Sequence, residues 1–436
     1  MKSALTVVLL LAATVTSVYC QDHWANWRGP LLSGVAPDAD PPVSWSEKEN
    51  IRWKVPVPGE GLATPIIWSN RIYLTAAVPY GKPFKALPDT AEGAHDNRGV
   101  TQHHEFVVLC LDRKTGKTLW DTTVIKTRPK EGGHFTGSLV SNSPVTDGEH
   151  IYAFFGSRGL YALDRDGTIV WQKDLGQMET RHAHGEGASP ALFGDTLVVN
   201  WDHEGQSYLY AFDKKTGKQR WRVERDEMTS WSTPVVVEVD GKPQVIVAAT
   251  KRVRGYDLAT GKELWQCAGL SRNVVSTPIP ADGVVYVSNS YDWRVIMAIK
   301  LAGASGDISK TDQVVWYIRK NTSYVPSPLL YDNSLYFLGH LSGVLSRADI
   351  KTGEVVEGPY RLEKINRTFA SPLGAAKRIY IADQDGTVIV LQHGGPALKT
   401  LAINQLDERF SASPVAVGKE LFLRGKSFLY CIAAEE

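Results

Sequence analysis

The sequence predicts an all-β fold: an eight-bladed β-propeller of four-stranded antiparallel blades, its ring closed by an N-terminal strand in the last blade. Three observations predict it. A Ser/Thr-Pro dipeptide followed by a short apolar strand recurs at Thr64-Pro65, Ser143-Pro144, Ser189-Pro190, Thr233-Pro234, Thr277-Pro278, Ser327-Pro328, Ser371-Pro372 and Ser413-Pro414, and five of the seven proline spacings lie within 42–46 residues. A fixed repeat of this kind marks a propeller or solenoid. Each unit also carries one internal plan, with a third strand ending in Asp, a Thr-Gly-Lys turn and a fourth strand carrying Trp. It is clearest in Asp112-Arg-Lys-Thr-Gly-Lys-Thr-Leu-Trp120, Asp213-Lys-Lys-Thr-Gly-Lys-Gln-Arg-Trp221 and Asp257-Leu-Ala-Thr-Gly-Lys-Glu-Leu-Trp265. Finally, the eighth unit supplies three strands, Val415–Val417, Leu421–Arg424 and Phe428–Ile432, and Asn50-Ile-Arg-Trp53-Lys-Val near the start matches Lys218-Gln-Arg-Trp221-Arg-Val. The early segment is therefore expected to complete the last blade, which removes an exposed strand edge.

Each element has a local reason. The turn glycine supplies positive φ, while Asp or Thr bonds the turn backbone. The Trp is a wedge large enough to dock between splayed neighbouring sheets. The two spacings outside the regular range are explained by insertions at 78–104 and 301–313. Composition agrees: 38 Gly, 23 Pro and 13 Trp beside 4 Met suit many short strands and tight turns. With 48 Lys+Arg against 47 Asp+Glu, the net charge of +1 lacks the basic footprint of a nucleic-acid binder.

Residues 1–20 read as a secretory signal peptide, with Lys2, an apolar run from Ala4 to Ala13 and a small or polar stretch before Cys20. The run is shorter than the roughly 20 residues of a membrane span, and no later segment qualifies. The chain is therefore expected to be exported, periplasmic or extracellular, with lipid on Cys20 disfavoured by the bulky Tyr19 before it. Residues 21–44 form a leader, and 45–436 the propeller. Cys110, Cys267 and Cys431 are odd in number and show no CxxC pairing, so they read as small core residues.

The Asp-x-x-Thr-Gly-x-x-x-Trp units with their Ser-Pro spacing resemble the pyrroloquinoline-quinone (PQQ)-like repeat propellers over about 45–432. The leader Trp24-Ala-Asn-Trp27-Arg-Gly-Pro30 looks like the opening of exported bacterial members. The resemblance implies the fold and, for function, a choice among quinone-dependent dehydrogenases, an outer-membrane-assembly scaffold and exported binding proteins. The adjacent Cys-Cys pair of the dehydrogenases is absent here, and their calcium ligands and Asp base cannot be mapped by motif.

In such a propeller, the segment before each Ser/Thr-Pro and the loop between the second and third strands share one face, where binding groups concentrate. Seven of the eleven histidines fall in these loops of the first three units: His95, His103, His104, His134, His182, His184 and His203. Arg181-His182-Ala-His184-Gly-Glu186 and Asn200-Trp201-Asp202-His203-Glu204-Gly205 belong to one blade. His182, His184, Asp202 and His203 are therefore candidate ligands for a divalent metal, and His184, Glu186 and His203 candidate catalytic groups. The plainer reading, a solvated or hydrogen-bonding loop histidine in a polar turn, stands beside it. Trp201, Trp231, Arg272, Asn273, Trp293, Tyr324 and Arg367 are candidate ligand contacts at the channel mouth, and Phe369 and Phe410 candidate plugs. Three functions fit: a binding or scaffold module taking a protein or glycan at the funnel face, a metal- or His/carboxylate-dependent enzyme on a carbohydrate-like substrate, and a quinone-dependent oxidoreductase using PQQ.

Overall fold

The computed structural model describes residues 23–86 and 88–434; the predicted signal peptide lies outside them. Eight sheets follow one another around a ring, each built on four antiparallel strands that run in chain order in every blade but the last. Blade 1 runs outward through Ile66–Trp68, Arg71–Tyr80, His103–Asp112 and Thr118–Thr127. Blade 8 runs through Val415–Val417, Glu420–Arg424 and Phe428–Ile432, and its outermost strand is Ile51–Pro56. There Trp53 lies opposite Cys431 and Lys54 opposite Tyr430, so the expected closure is formed. Among the described residues no helix is long and apolar enough to cross a membrane.

The Ser/Thr-Pro signature has a structural cause. The amide of each Ser or Thr donates to the hydroxyl of its counterpart in the next blade: Thr64 to Ser143 (2.9 Å), Ser143 to Ser189 (2.9 Å) and Ser189 to Thr233 (3.0 Å). The series resumes from Thr277 to Ser327, Ser371, Ser413 and back to Thr64, over 2.9–3.1 Å. A belt of seven links thus encircles the channel, where buried amides have no sheet partner. Its single gap lies between Thr233 and Thr277. At that point Ser232 Oγ donates to the Ser276 carbonyl instead, and Thr277 Oγ1 is buried without a partner.

The outer-strand tryptophans form a second circuit. The indole nitrogens of Trp53, Trp120, Trp171, Trp221 and Trp316 donate to the carbonyls of Arg113, Arg165, Lys214, Leu258 and Ile350, each in the following blade, over 2.8–3.0 Å. Their rings lie on the next blade's turn glycine, so a Cβ on Gly217 (φ +66°) would meet Trp171 at 2.7 Å. Glycine is therefore needed twice, for the left-handed turn and for room. Trp265 departs from the pattern. The following blade has the 301–313 insert in place of a Thr-Gly turn, and the Trp265 indole bonds Gln244 within its own sheet. From that insert, Gly306–Asp307 adds a parallel edge strand beside Trp265 and Gln266. Cys110, Cys267 and Cys431 are free and buried in the strands.

The leader enters the channel. His23–Trp24 pairs with Trp68 and Ile67 on the inner edge of blade 1, and Val35–Ala36 runs parallel to Gly374 and Ala375 on the inner edge of blade 7. Between them, Arg28 is buried and donates to the carbonyls of Ser33 (2.9 Å), Pro328 (3.0 Å) and Pro372 (3.4 Å). The leader also touches the turns between first and second strands, through Ser69 and Gly418. It therefore stops the channel from the face opposite the long loops.

Candidate functional site

With the leader in place the channel becomes a funnel of about 520 Å³. Trp27 contributes to its lining from the leader. Thr64, Ser189, Thr233 and Ser413 line it from the hydroxyl belt, and Trp231, Tyr291, Tyr324 and Phe369 present aromatic surface from the blades. Such a volume, largely apolar with a few polar groups, suits a small organic molecule.

The insert at 81–102 supplies one wall. Arg98 N donates to the Gly133 carbonyl, Phe135 N to Asp96 O and His134 N to His184 O, while Asn97 Nδ2 reaches His182 O at 2.7 Å. These bonds sew the insert to the segments preceding Ser143-Pro144 and Ser189-Pro190. They gather four imidazoles: His184 lies 4.9 Å from His95, 4.8 Å from His134 and 5.4 Å from His182 between ring centres, and His95 lies 4.7 Å from His182. His182 and Ala183 adopt positive φ to make this corner. Burial, followed by the neighbouring His134, His95 and His182 rings, pushes the His184 ring down to about 4, and burial lowers His134 as well. Both are neutral near pH 7. They can accept protons or ligate a cation.

The juxtaposition expected from sequence is only partly formed, because His182 and His184 meet His95 and His134 rather than His203. His203 is buried, and its Nδ1 accepts the amides of Glu179 and Gly205 (3.2 Å each) while Nε2 donates to Gln206 O at 3.1 Å. Both nitrogens are consumed in shaping its own loop. Asp202 is fully buried against Arg225, with two bonds of 2.8 and 3.0 Å, and accepts from Ser230 Oγ. Glu186 is committed to Arg158 (2.8 Å) and to the amide and hydroxyl of Ser157. Asp202 and Glu186 each hold a buried arginine, since an unpaired buried charge is costly.

The ligand-contact candidates divide in the same way. Trp231, Asn273, Tyr324 and Arg367 line the funnel. Asn273 is buried with its Oδ1 unpartnered, and burial pushes the Tyr324 phenol up to about 12. Trp201 is instead a core residue, 2% exposed and packed on Phe154 and Tyr210. Arg272 is drawn outward into a bidentate pair with Asp292, and Trp293 lies exposed over the Gly269 carbonyl. Phe410 packs against Tyr430 in the core rather than plugging the channel, whereas Phe369 does line it. The funnel-lining roles of Trp27, Phe135 and Leu341 were not read from the sequence; only the position of Trp27 in the aromatic leader hinted at one.

An eight-bladed ring bound by Ser/Thr-Pro belts and Trp–Gly docking defines a class of repeat propeller, and comparison with known proteins agrees. The family model described as outer membrane protein assembly factor BamB matches residues 104–358. The chain belongs to this PQQ-like repeat propeller family. It is 24% identical over 280 residues to tetrathionate hydrolase of Acidithiobacillus ferrooxidans, covering 57% of this chain and 53% of that protein. It is 32% identical over 123 residues to quinohemoprotein alcohol dehydrogenase ADH-IIG of Pseudomonas putida, covering 24% of this chain and 16% of that one. The chain thus spans about half the length of the first of these relatives and a small part of the second. Among solved structures, BamB from Moraxella catarrhalis is similar with a TM-score of 0.54 at 16% identity, covering 82% of this chain and all of that one. A europium-containing methanol dehydrogenase is similar at TM-score 0.62 and 10% identity, covering 94% and 90%. At these identities the structures share the fold alone.

Proposed function

We propose that the protein is an exported binding module whose stoppered funnel takes a small organic anion, such as a sugar acid or another carboxylate. The observation that carries this reading is the charge of the wall. Glu186 is the one carboxylate among the lining residues, and Arg158 neutralises it. The exposed Arg367 lines the same space and has no ion pair among the described residues. A guanidinium facing apolar and aromatic walls favours an anion with an apolar or ring-shaped body, because the fork matches a carboxylate and the rings pack against the rest. The relative named for tetrathionate acts, by that name, on a small anion, which agrees in sign of charge.

Quinone chemistry is the reading this lining supports least. A quinone held with a cation needs carboxylates facing the cavity, but Glu186 is spent on Arg158, and Cys110, Cys267 and Cys431 are buried in strands. Among the described lining residues no free carboxylate is left for that cation. The anion reading is tested by calorimetric titration with aromatic and sugar carboxylates beside their neutral amide or alcohol analogues. An acid should bind at least about tenfold more tightly than its neutral analogue, a difference of about 1.4 kcal/mol, and Arg367→Ala should erase the preference. Equal binding of both forms, or an unchanged preference in the variant, would refute it.

A further inference from the structure

We infer that His95, His134 and His184 form a three-imidazole site for a divalent transition metal, such as zinc or cobalt, at the mouth of the funnel. All three line the cavity and come from three separate segments: the insert, the approach to blade 2 and the approach to blade 3. Two of their three ring pairs, those made by His184, have the spacing of ligands on one ion. Metal–nitrogen bonds of about 2.0–2.1 Å at tetrahedral angles place neighbouring ring centres about 5 Å apart. His184 lies 4.9 Å from His95 and 4.8 Å from His134, with the planes inclined by 73° and 71° rather than stacked.

The nitrogens are assigned by their partners. His95 Nδ1 lies 2.8 Å from the Gly93 carbonyl and His184 Nε2 lies 3.3 Å from the His95 carbonyl. A carbonyl only accepts, so these nitrogens carry the protons, and the lone pairs fall on His95 Nε2 and His184 Nδ1. His134 Nδ1 meets the Thr136 hydroxyl at 2.7 Å, which leaves Nε2 uncommitted. One nitrogen held by a hydrogen bond and one left uncommitted is the arrangement that orients imidazole ligands. His182 is excluded from the set, because its Nε2 accepts from the Arg181 guanidinium.

The three uncommitted nitrogens do not all lie within 4.8 Å of one another. Among the described residues only the donor atoms of Asp147, Glu149 and His150, on the leader face, do so. Binding therefore turns the rings, His95 on its exposed insert most of all. At the leader-face trio, by contrast, Asp147 is occupied by Lys214 and by the amides of Glu149 and His150. An ion on the histidine trio would present its remaining position to the funnel. The site does not require the anion reading, since it is tested with metal alone.

The experiment titrates the full chain, free of any affinity-tag histidines, with Co²⁺ and follows visible absorption and bound metal after dialysis, with Zn²⁺ as competitor. One equivalent is expected, weakened by more than about 100-fold in His184→Ala and at least about tenfold in His95→Ala, and unchanged in His150→Ala. His95 is exposed on the insert, so its variant separates loss of a ligand from loss of the fold. Absence of a one-equivalent complex, its survival in His95→Ala and His184→Ala, or its loss in His150→Ala would overturn the site.

Discussion

Replacing Ser143 by alanine removes one hydroxyl from the inner belt and nothing else of consequence. Ser143 is 1% exposed, and its Oγ accepts the amide of Thr64, also 1% exposed, over 2.9 Å. In the variant that amide stays buried at the blade 1 end of the ring without its acceptor. A buried donor left unsatisfied costs about 1–3 kcal/mol, more than the net value of the bond it lost. The belt gap supplies an internal control. Thr277 Oγ1 occupies the equivalent position but accepts nothing, so Thr277→Val keeps the shape and removes only a polar atom that is already unpaid for. It should be neutral or slightly stabilising, within about 0.5 kcal/mol. Guanidinium unfolding midpoints of both variants, together with hydrogen exchange at the Thr64 amide, measure the difference. If Ser143→Ala is silent, or Thr277→Val costs as much, the belt does not hold the ring.

Two further outcomes follow from other parts of the ring. Gly217→Ala should cost about 2–4 kcal/mol, combining a left-handed turn with a Cβ driven into Trp171; a midpoint within error of the parent would remove the Trp–Gly docking from the account. His203 is held below the ordinary imidazole range by burial. Its contribution to stability is therefore complete above the unfolded value of about 6.5 and is lost as pH falls below it toward the folded value, because the unfolded chain binds the proton more readily. The unfolding midpoint should decline between about pH 7 and pH 5, and His203→Gln should flatten that decline; an unchanged slope would place the acid sensitivity elsewhere.

How much of this was legible varies with the range of the interaction. The Ser/Thr-Pro marks recur eight times, and the Thr-Gly turns and Trp positions recur in several blades; each depends on a few neighbouring residues, and repetition makes a weak local signal readable. Closure by Ile51–Pro56 was legible because that strand copies the Trp221 strand. The leader was not. Two-residue strands at His23–Trp24 and Val35–Ala36 have no periodicity to read, and their partners lie on blades far away in sequence. The partners of His203 and Glu186 were not legible for a related reason: residue type shows that a group can ligate or transfer a proton, but not whether a backbone amide or a buried arginine already bonds it.

The sequence by itself determined a ring of eight sheets and the face on which long loops gather, since both follow from spacing and turn chemistry. Only the tertiary structure decided that the channel is stoppered by the leader, that His95 crosses from the insert to His184, and that Arg367 has no carboxylate partner among the described residues. Those outcomes depend on pairings between segments separated by tens to hundreds of residues, whose energy comes from filling a shared space that no single segment encodes.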